Sequence, residues 1–226
     1  MSNTAIILAA GNGTRMKAEK SKLLLEICGK TVIERTVETF SKISDIDEII
    51  VVIRENDLDA FETVLSKYDI SYCFGGETRQ QSVMNAVETI DDCDLLIIHD
   101  GARPLVTEEE ISATIRKARE TGAAAVGVTP KDTIKIVDEN LQIVGTPDRS
   151  NLISIRTPQI FSFDLYKQAM EHAKEQRKDF TDDCRLVENL GKKVYAVLGE
   201  YTNIKITTPE DIPTAESILK MRGECQ

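Results

Sequence analysis

Short unbroken apolar runs alternate along this chain with stretches in which apolar residues recur every three or four positions. Residues 5–8, EIIVVI at 48–53, DLLIIH at 94–99 and the small-residue run AAAVGV at 123–128 read as buried strands. None alternates polar with apolar, so both faces are covered. Residues 71–74 read as a further strand. Between these runs, Thr31 can cap a helix over 32–42 whose apolar face is Val32, Ile33, Val37 and Phe40. Helical stretches follow at 56–67 and 80–90, and the capping box Thr107-x-x-Glu110 opens another to about residue 121. Four strand–loop–helix units in a row predict an α/β fold with a doubly wound, mostly parallel sheet, in one domain over 1–226.

The pattern changes at Pro130. Residues 133–137 and 142–146 are β-rich and flank Asp138-Glu139-Asn140. They predict a protruding hairpin over 131–150, with little apolar content to bury itself. Such an excursion is either an arm packed on a partner or a solvated surface hairpin. After Leu152, helices are expected from Ser162 to about Gln176, and over 182–190 behind Thr181 as cap. Short strands are expected at 194–198 and 204–206. Thr208-Pro209-Glu210-Asp211 would open a last helix with proline in its first position.

Three loops that follow strands carry glycines or cations: 9–22, 75–82 and 100–104. In an open parallel sheet they should meet at the carboxyl edge, where ligands bind. The first, AAGNGTRMKAEKSK, joins small residues to Arg15, Lys17 and Lys22. It is not a dinucleotide fingerprint: Met16 stands where the third glycine is needed, and no acid follows at a strand end about 20 residues on. It is not a P-loop either, since no Gly-Lys-Ser/Thr follows. Its cations suit a triphosphate, although a plain turn with solvated cations satisfies the same residues. Asp100 is the one carboxylate at a buried strand end in this set. Beside phosphates it needs an intervening cation, which favours a magnesium ligand. Capping the next turn, or pairing with Arg103, is the alternative.

Composition narrows the partners. With 28 basic and 38 acidic residues the net charge is -10, which argues against sequence-independent nucleic-acid binding. The five cysteines are scattered without a Cys-x-x-Cys spacing, and reduced thiols in a cytoplasmic protein are expected. His99 and His172 are too far apart in sequence to suggest a metal cluster. No apolar run approaches the roughly 20 residues of a membrane span.

LAAGNGTRM with Ser21-Lys22, then GGETRQQSV, HDGARP, KDTIK, TPDRSNL, RTPQIF, TDD and NIKITTPED occur here in the order of one family. They resemble the 2-C-methyl-D-erythritol 4-phosphate cytidylyltransferases, over essentially the whole chain. The resemblance implies a Rossmann-like nucleotidyltransferase fold, CTP and a polyol phosphate as substrates, Mg²⁺, and a homodimer formed through the 131–150 arm. It implies that Ala9, Ala10, Gly11, Gly13 and Gly101 wrap the CTP, with Arg15 and Lys22 on its phosphates. Gly76, Glu77 and Ser82 would read the cytosine, and Asp100 would hold the metal. Arg103, Thr133, Arg149, Thr157, Thr181 and Lys205 would handle the acceptor, and Arg15, Lys22 and Lys205 would carry the catalysis. Two departures stand out: Ser21 where proline is common, which leaves the loop less rigid, and Glu77 where the shorter Asp also occurs. Glu200-Tyr201-Thr202 before Asn203 makes a second acidic metal ligand there doubtful. The alternatives are a ribitol 5-phosphate cytidylyltransferase, a nicotinamide-dependent dehydrogenase and, more remotely, a non-catalytic nucleotide-binding protein.

Overall fold

The structure is a computed structural model and describes residues 2–11 and 21–225. In chain order, β1 (Asn3–Leu8) is followed by a two-stranded ribbon, β2 (Glu26–Ile27) and β3 (Lys30–Thr31), and by α1 (Val32–Ser41). Next come β4 (Glu48–Ile53), α2 (Leu58–Leu65), β5 (Ser71–Phe74), α3 (Arg79–Val87), β6 (Leu95–Asp100), α4 (Glu108–Thr121) and β7 (Ala123–Val128). A second ribbon, β8 (Ile136–Val137) and β9 (Ile143–Gly145), precedes β10 (Ser154–Ser162), α5 (Phe163–Gln176), α6 (Asp183–Asn189), β11 (Tyr195–Leu198) and α7 (Asp211–Met221).

Seven strands form one sheet in the order β11-β7-β10-β6-β1-β4-β5. β1 runs parallel to β4 and β6, β4 to β5, and β11 to β7. Successive strand side chains point to opposite faces, and each face has its own helices. Ala5, Ile7, Val51 and Ile97 pack with α1, α2, α4 and α7; Ile6, Val52, Leu96 and Ile98 pack with α3, α5 and α6. The fold is therefore doubly wound α/β, as the apolar pattern predicts.

β10 is antiparallel to both neighbours and has no counterpart in the sequence reading. It carries Arg156 and Pro158, and its pairing with β7 slips between Ile155 and Gln159. Proline in a short run hides a strand from a pattern search. Residues 204–206 are not a strand; Ile206 N–H donates to Ala102 O at 2.8 Å and holds the segment extended. The last helix begins at Asp211 rather than Pro209, since the Asp211 carboxylate gathers the amides of Thr207 and Thr208 at 2.7 and 2.8 Å. Asp182, not Thr181, caps α6 by accepting from Arg185 N–H.

Two further corrections concern side chains. Cys28 and Cys225 form a disulfide across 197 residues, so the expectation of five reduced thiols fails. No local spacing could have shown that pairing. The arm is also less polar than expected. Ile134, Ile136, Val137, Leu141, Ile143 and Val144 all lie on it exposed.

Candidate active site

The loops after β1, β5 and β6 meet at the carboxyl edge around a cavity of about 320 Å³. Ala9, Ala10, Gly11, Lys22, Gly76, Glu77, Ser82, Asp100 and Lys205 line it, joined by Arg79 and Thr207. Close backbone approach makes this possible. A Cβ on Gly75 would collide with that of Ala10, and one on Gly101 would sit 2.9 Å from Leu8 O. Ala9 N–H extends β1 onto Val52 O at 2.7 Å, and Gly101 N–H donates to Leu8 O at 2.9 Å.

Lys22 opens a short 3-10 turn, Lys22–Leu24, capped by Ser21, whose hydroxyl accepts from Leu23 N–H at 3.4 Å. Ser21 is buried, so the residue in the proline position fixes the turn by capping it. In the second loop Ser82 is occupied by its own chain. Its oxygen accepts from Gly76 N–H at 3.0 Å, and its hydroxyl donates to Thr78 O at 2.9 Å. Ser82 thus shapes the loop that presents Gly76 and Glu77.

Asp100 ends β6, buried among cations. Its Oδ2 lies 2.8 Å from Lys205 Nζ and 3.6 Å from Arg103 Nε, and its Oδ1 lies 3.8 Å from Arg79 Nε. Burial alone would raise its pKa; Lys205 and then Arg79 outweigh that and hold the carboxyl well below the usual range. Behind it, His99 Nε2 meets Arg103 O at 3.3 Å, a group that only accepts, so Nε2 carries the proton. His99 Nδ1 then accepts from Thr157 Oγ1 at 3.0 Å, and Thr157 Oγ1 accepts from Asp100 N–H at 3.1 Å. Burial pushes the His99 pKa down to about 3, which keeps this ring neutral.

Lys205 reaches Asp100 because residues 200–206 are strapped down. Glu110 Oε1 accepts from Glu200 N–H at 2.8 Å. Arg103 Nη1 donates to Asn203 O at 3.0 Å, and Arg156 Nη1 donates to the same oxygen at 2.8 Å. Asn203 Nδ2 donates to Thr157 O at 3.1 Å.

The expected acceptor residues are not all brought together. Lys205 lines the cavity and Arg103 touches Asp100, but Thr157 is buried behind the strand end. Thr133 and Arg149 are exposed on the arm segment, where Arg149 Nη1 donates to Lys131 O at 2.8 Å. Thr181 borders a separate hollow with Lys178, Phe180 and Arg185. Gly13 and Arg15 lie outside the described residues. Glu200 faces Arg222 and Thr202, at 3.1 and 2.7 Å. Arg79, Arg156 and Asn203 have no assigned role in the sequence reading, and Glu110 appears there only as a helix cap. Of the first three, Arg79 carries a local signal, a cation in the first turn of a helix, where the dipole disfavours it.

A glycine-lined hollow at the edge of a doubly wound sheet, with lysines and the carboxylates Glu77 and Asp100 on its wall, defines a nucleotide-binding α/β protein of the nucleotidyltransferase type. The family model for 2-C-methyl-D-erythritol 4-phosphate cytidylyltransferase matches residues 3–221. A Clostridium perfringens enzyme of that name is 45% identical over 220 residues, covering 96% of this chain and 98% of its own. One from Clostridium botulinum is 43% identical over 223 residues, covering 96% and 97%. Among solved structures, 4-diphosphocytidyl-2C-methyl-D-erythritol synthase from Anaerococcus prevotii superposes with a TM-score of 0.88 at 38% identity, covering 97% of this chain and 96% of its own. The chain belongs to the 2-C-methyl-D-erythritol 4-phosphate cytidylyltransferase family.

Proposed function

We propose that this protein transfers the cytidylyl group of CTP to 2-C-methyl-D-erythritol 4-phosphate, giving 4-diphosphocytidyl-2-C-methyl-D-erythritol and pyrophosphate. The observation that carries the reading is the meeting of Lys22, Lys205, Asp100 and the glycine loops in one cavity, in a chain of this family. An oxygen of the acceptor phosphate attacks the α-phosphorus in line, a new P–O bond forms, and the α–β bond breaks. A phosphate monoester is largely ionised at pH 7, with its second pKa near 6, so no general base is required. Among the described residues both nitrogens of His99 are engaged within the fold, and burial raises the pKa of Cys93 and of Cys184. Catalysis is then positioning and charge neutralisation. Backbone amides of the first loop and Lys22 hold the nucleotide phosphates, with Gly13 and Arg15 expected to add to them. Gly76 and Glu77 face the base. Lys205, fixed by the 200–206 strap, meets the incoming phosphate.

Asp100 fits a magnesium ion as a lone protein ligand. Lys205 and Arg103 face Oδ2, while among the described residues Oδ1 has only Arg79 Nε, at 3.8 Å. Among the described residues no group of three or more His, Cys, Asp or Glu side chains makes a metal site. The remaining ligands would be phosphate oxygens and water, as is usual for magnesium. When bound, the ion supplies positive charge to the phosphates.

The acceptor half is completed by a second copy. The exposed aliphatic arm packs on the partner in a homodimer and carries Thr133 and Arg149 to the partner's cavity. Among the described residues no helix is long and apolar enough to cross a membrane. Pyrophosphate release from CTP, measured with methylerythritol phosphate and with ribitol 5-phosphate, tests the reading. Turnover at least about tenfold better with the former is expected, since binding differences of 1–3 kcal/mol already give that factor. A preference for ribitol phosphate, or no turnover with either, overturns it.

A further inference from the structure

Arg79 is the first residue of α3, and its side chain lines the cavity. It is held between two carboxylates: Nη2 is 2.6 Å from Asp183 Oδ2, and Nε is 3.8 Å from Asp100 Oδ1. Asp183, the first residue of α6, is buried, and its Oδ1 accepts from Tyr166 Oη at 2.7 Å. Tyr166 is fully buried on α5. Three helices thus give one residue each to a line, Tyr166–Asp183–Arg79, that ends at the cavity wall.

Two features set this line apart from a structural ion pair. Arg79 Nη1 is buried and has no hydrogen-bond partner among the described residues. A buried charged donor without an acceptor is costly, and such exceptions point to a group that arrives later. Buried pairs kept only for stability can often be replaced by apolar residues without loss; this one borders the Asp100 cluster. We infer that Arg79 is a further ligand-binding residue: its Nη1 donates to a phosphate oxygen of a bound substrate. Asp183, oriented by Tyr166, is the positioning residue that aims the guanidinium. The inference rests on reading the cavity as a site for CTP and a polyol phosphate. Either substrate can supply the phosphate oxygen, and the planar guanidinium fork suits both.

Arg79→Lys keeps a cation against Asp183 and removes Nη1. Its KM for one of the two substrates should rise about tenfold or more, with the melting temperature little changed. The substrate whose KM moves owns the phosphate. Calorimetric titration with CTP gives a second readout that needs no turnover. Arg79→Gln alone leaves Asp183 buried without its cation and should melt earlier. Arg79→Gln with Asp183→Asn should recover the melting temperature while kcat/KM stays about 10²-fold down, the scale of one lost preorganised donor. Tyr166→Phe should raise the same KM by a few-fold. A double variant that regains both stability and kcat/KM makes the line structural and overturns the inference. So does Arg79→Lys with wild-type KM for both substrates and a wild-type Kd for CTP. A wild-type protein that turns over neither acceptor defeats the functional reading instead, and calorimetric titrations of wild type and Arg79→Lys with CTP and with each polyol phosphate then decide Arg79.

Discussion

Asp100 and Leu141 mark two extremes of this molecule. Asp100 is a carboxylate, yet it is only 9% exposed and is surrounded by Lys205, Arg103 and Arg79 of its own chain. Leu141 is an aliphatic side chain, yet it is 79% exposed at the turn between β8 and β9. It also holds a φ of 62°, a conformation that leucine rarely adopts. Behind the cavity, one backbone carbonyl, that of Asn203, is gripped by two arginines; on the arm, Ile143 and Val144 are 59% and 60% exposed. A region that pairs its charged side chains with its own residues can work within one chain. A region that leaves its apolar groups uncovered needs something outside the chain. The contrast bears on the proposed reaction, in which the nucleotide half would be built within one subunit and the acceptor half shared with a second copy.

The largest expected effect lies in the self-contained half. Lys22→Ala should lower kcat by ~10²–10³ with the melting temperature unchanged, the scale of one lost preorganised donor. A near-normal kcat would remove Lys22 from the mechanism. Asp100→Asn should move the magnesium dependence of turnover to higher concentration by about tenfold or more. If the titrations of variant and wild type superimpose, Asp100 serves only to hold the surrounding cations.

The arm makes the opposite prediction. Ile143→Asp with Val144→Asp should turn a dimer into a monomer in sedimentation, because charges cannot be buried unpaired in an apolar contact. CTP affinity should stay within about twofold, since that half needs no partner, while the KM for the acceptor rises. A fall in CTP affinity as large as that for the acceptor would erase the division.

A smaller effect tests the frame behind Asp100. In the unfolded chain His99 takes up a proton near pH 6.5, but in the fold burial delays this to about 3. Between those values the unfolded state binds more protons, so stability falls as the pH drops, by up to about 1.4 kcal/mol per unit. Urea midpoints at pH 7, 6 and 5 should show this slope, and His99→Asn should flatten it. An unchanged slope would place the acid sensitivity elsewhere.

Much of this was legible in the chain. The strands whose runs are apolar on both faces, β1, β4, β6 and β7, stand where the pattern puts them, and so do the Thr31 cap and the Thr107–Glu110 box. Glycines and cations after strands foretold the cavity, because ligand approach at a sheet edge needs both. What stayed hidden depends on long-range partners. β10 is masked by Arg156 and Pro158 and is recognisable only once its neighbours are known. Glu110 reads as a capping residue, and nothing near it announces Glu200 N–H, 90 positions away. The Cys28–Cys225 bridge spans 197 residues. The family resemblance makes Thr157 an acceptor residue, and nothing near it announces that its hydroxyl meets His99 Nδ1 and Asp100 N–H.

The division between a complete nucleotide half and a shared acceptor half is tested most directly by mixing two inactive variants, Lys22→Ala and Arg149→Ala. If Arg149 acts in the partner's cavity, each mixed dimer has one doubly damaged site and one intact site. With half of the dimers mixed, activity should return to roughly a quarter of wild type. If Arg149 serves its own subunit, every site carries a lesion. Continued inactivity, with subunit exchange confirmed independently, would contradict the shared site.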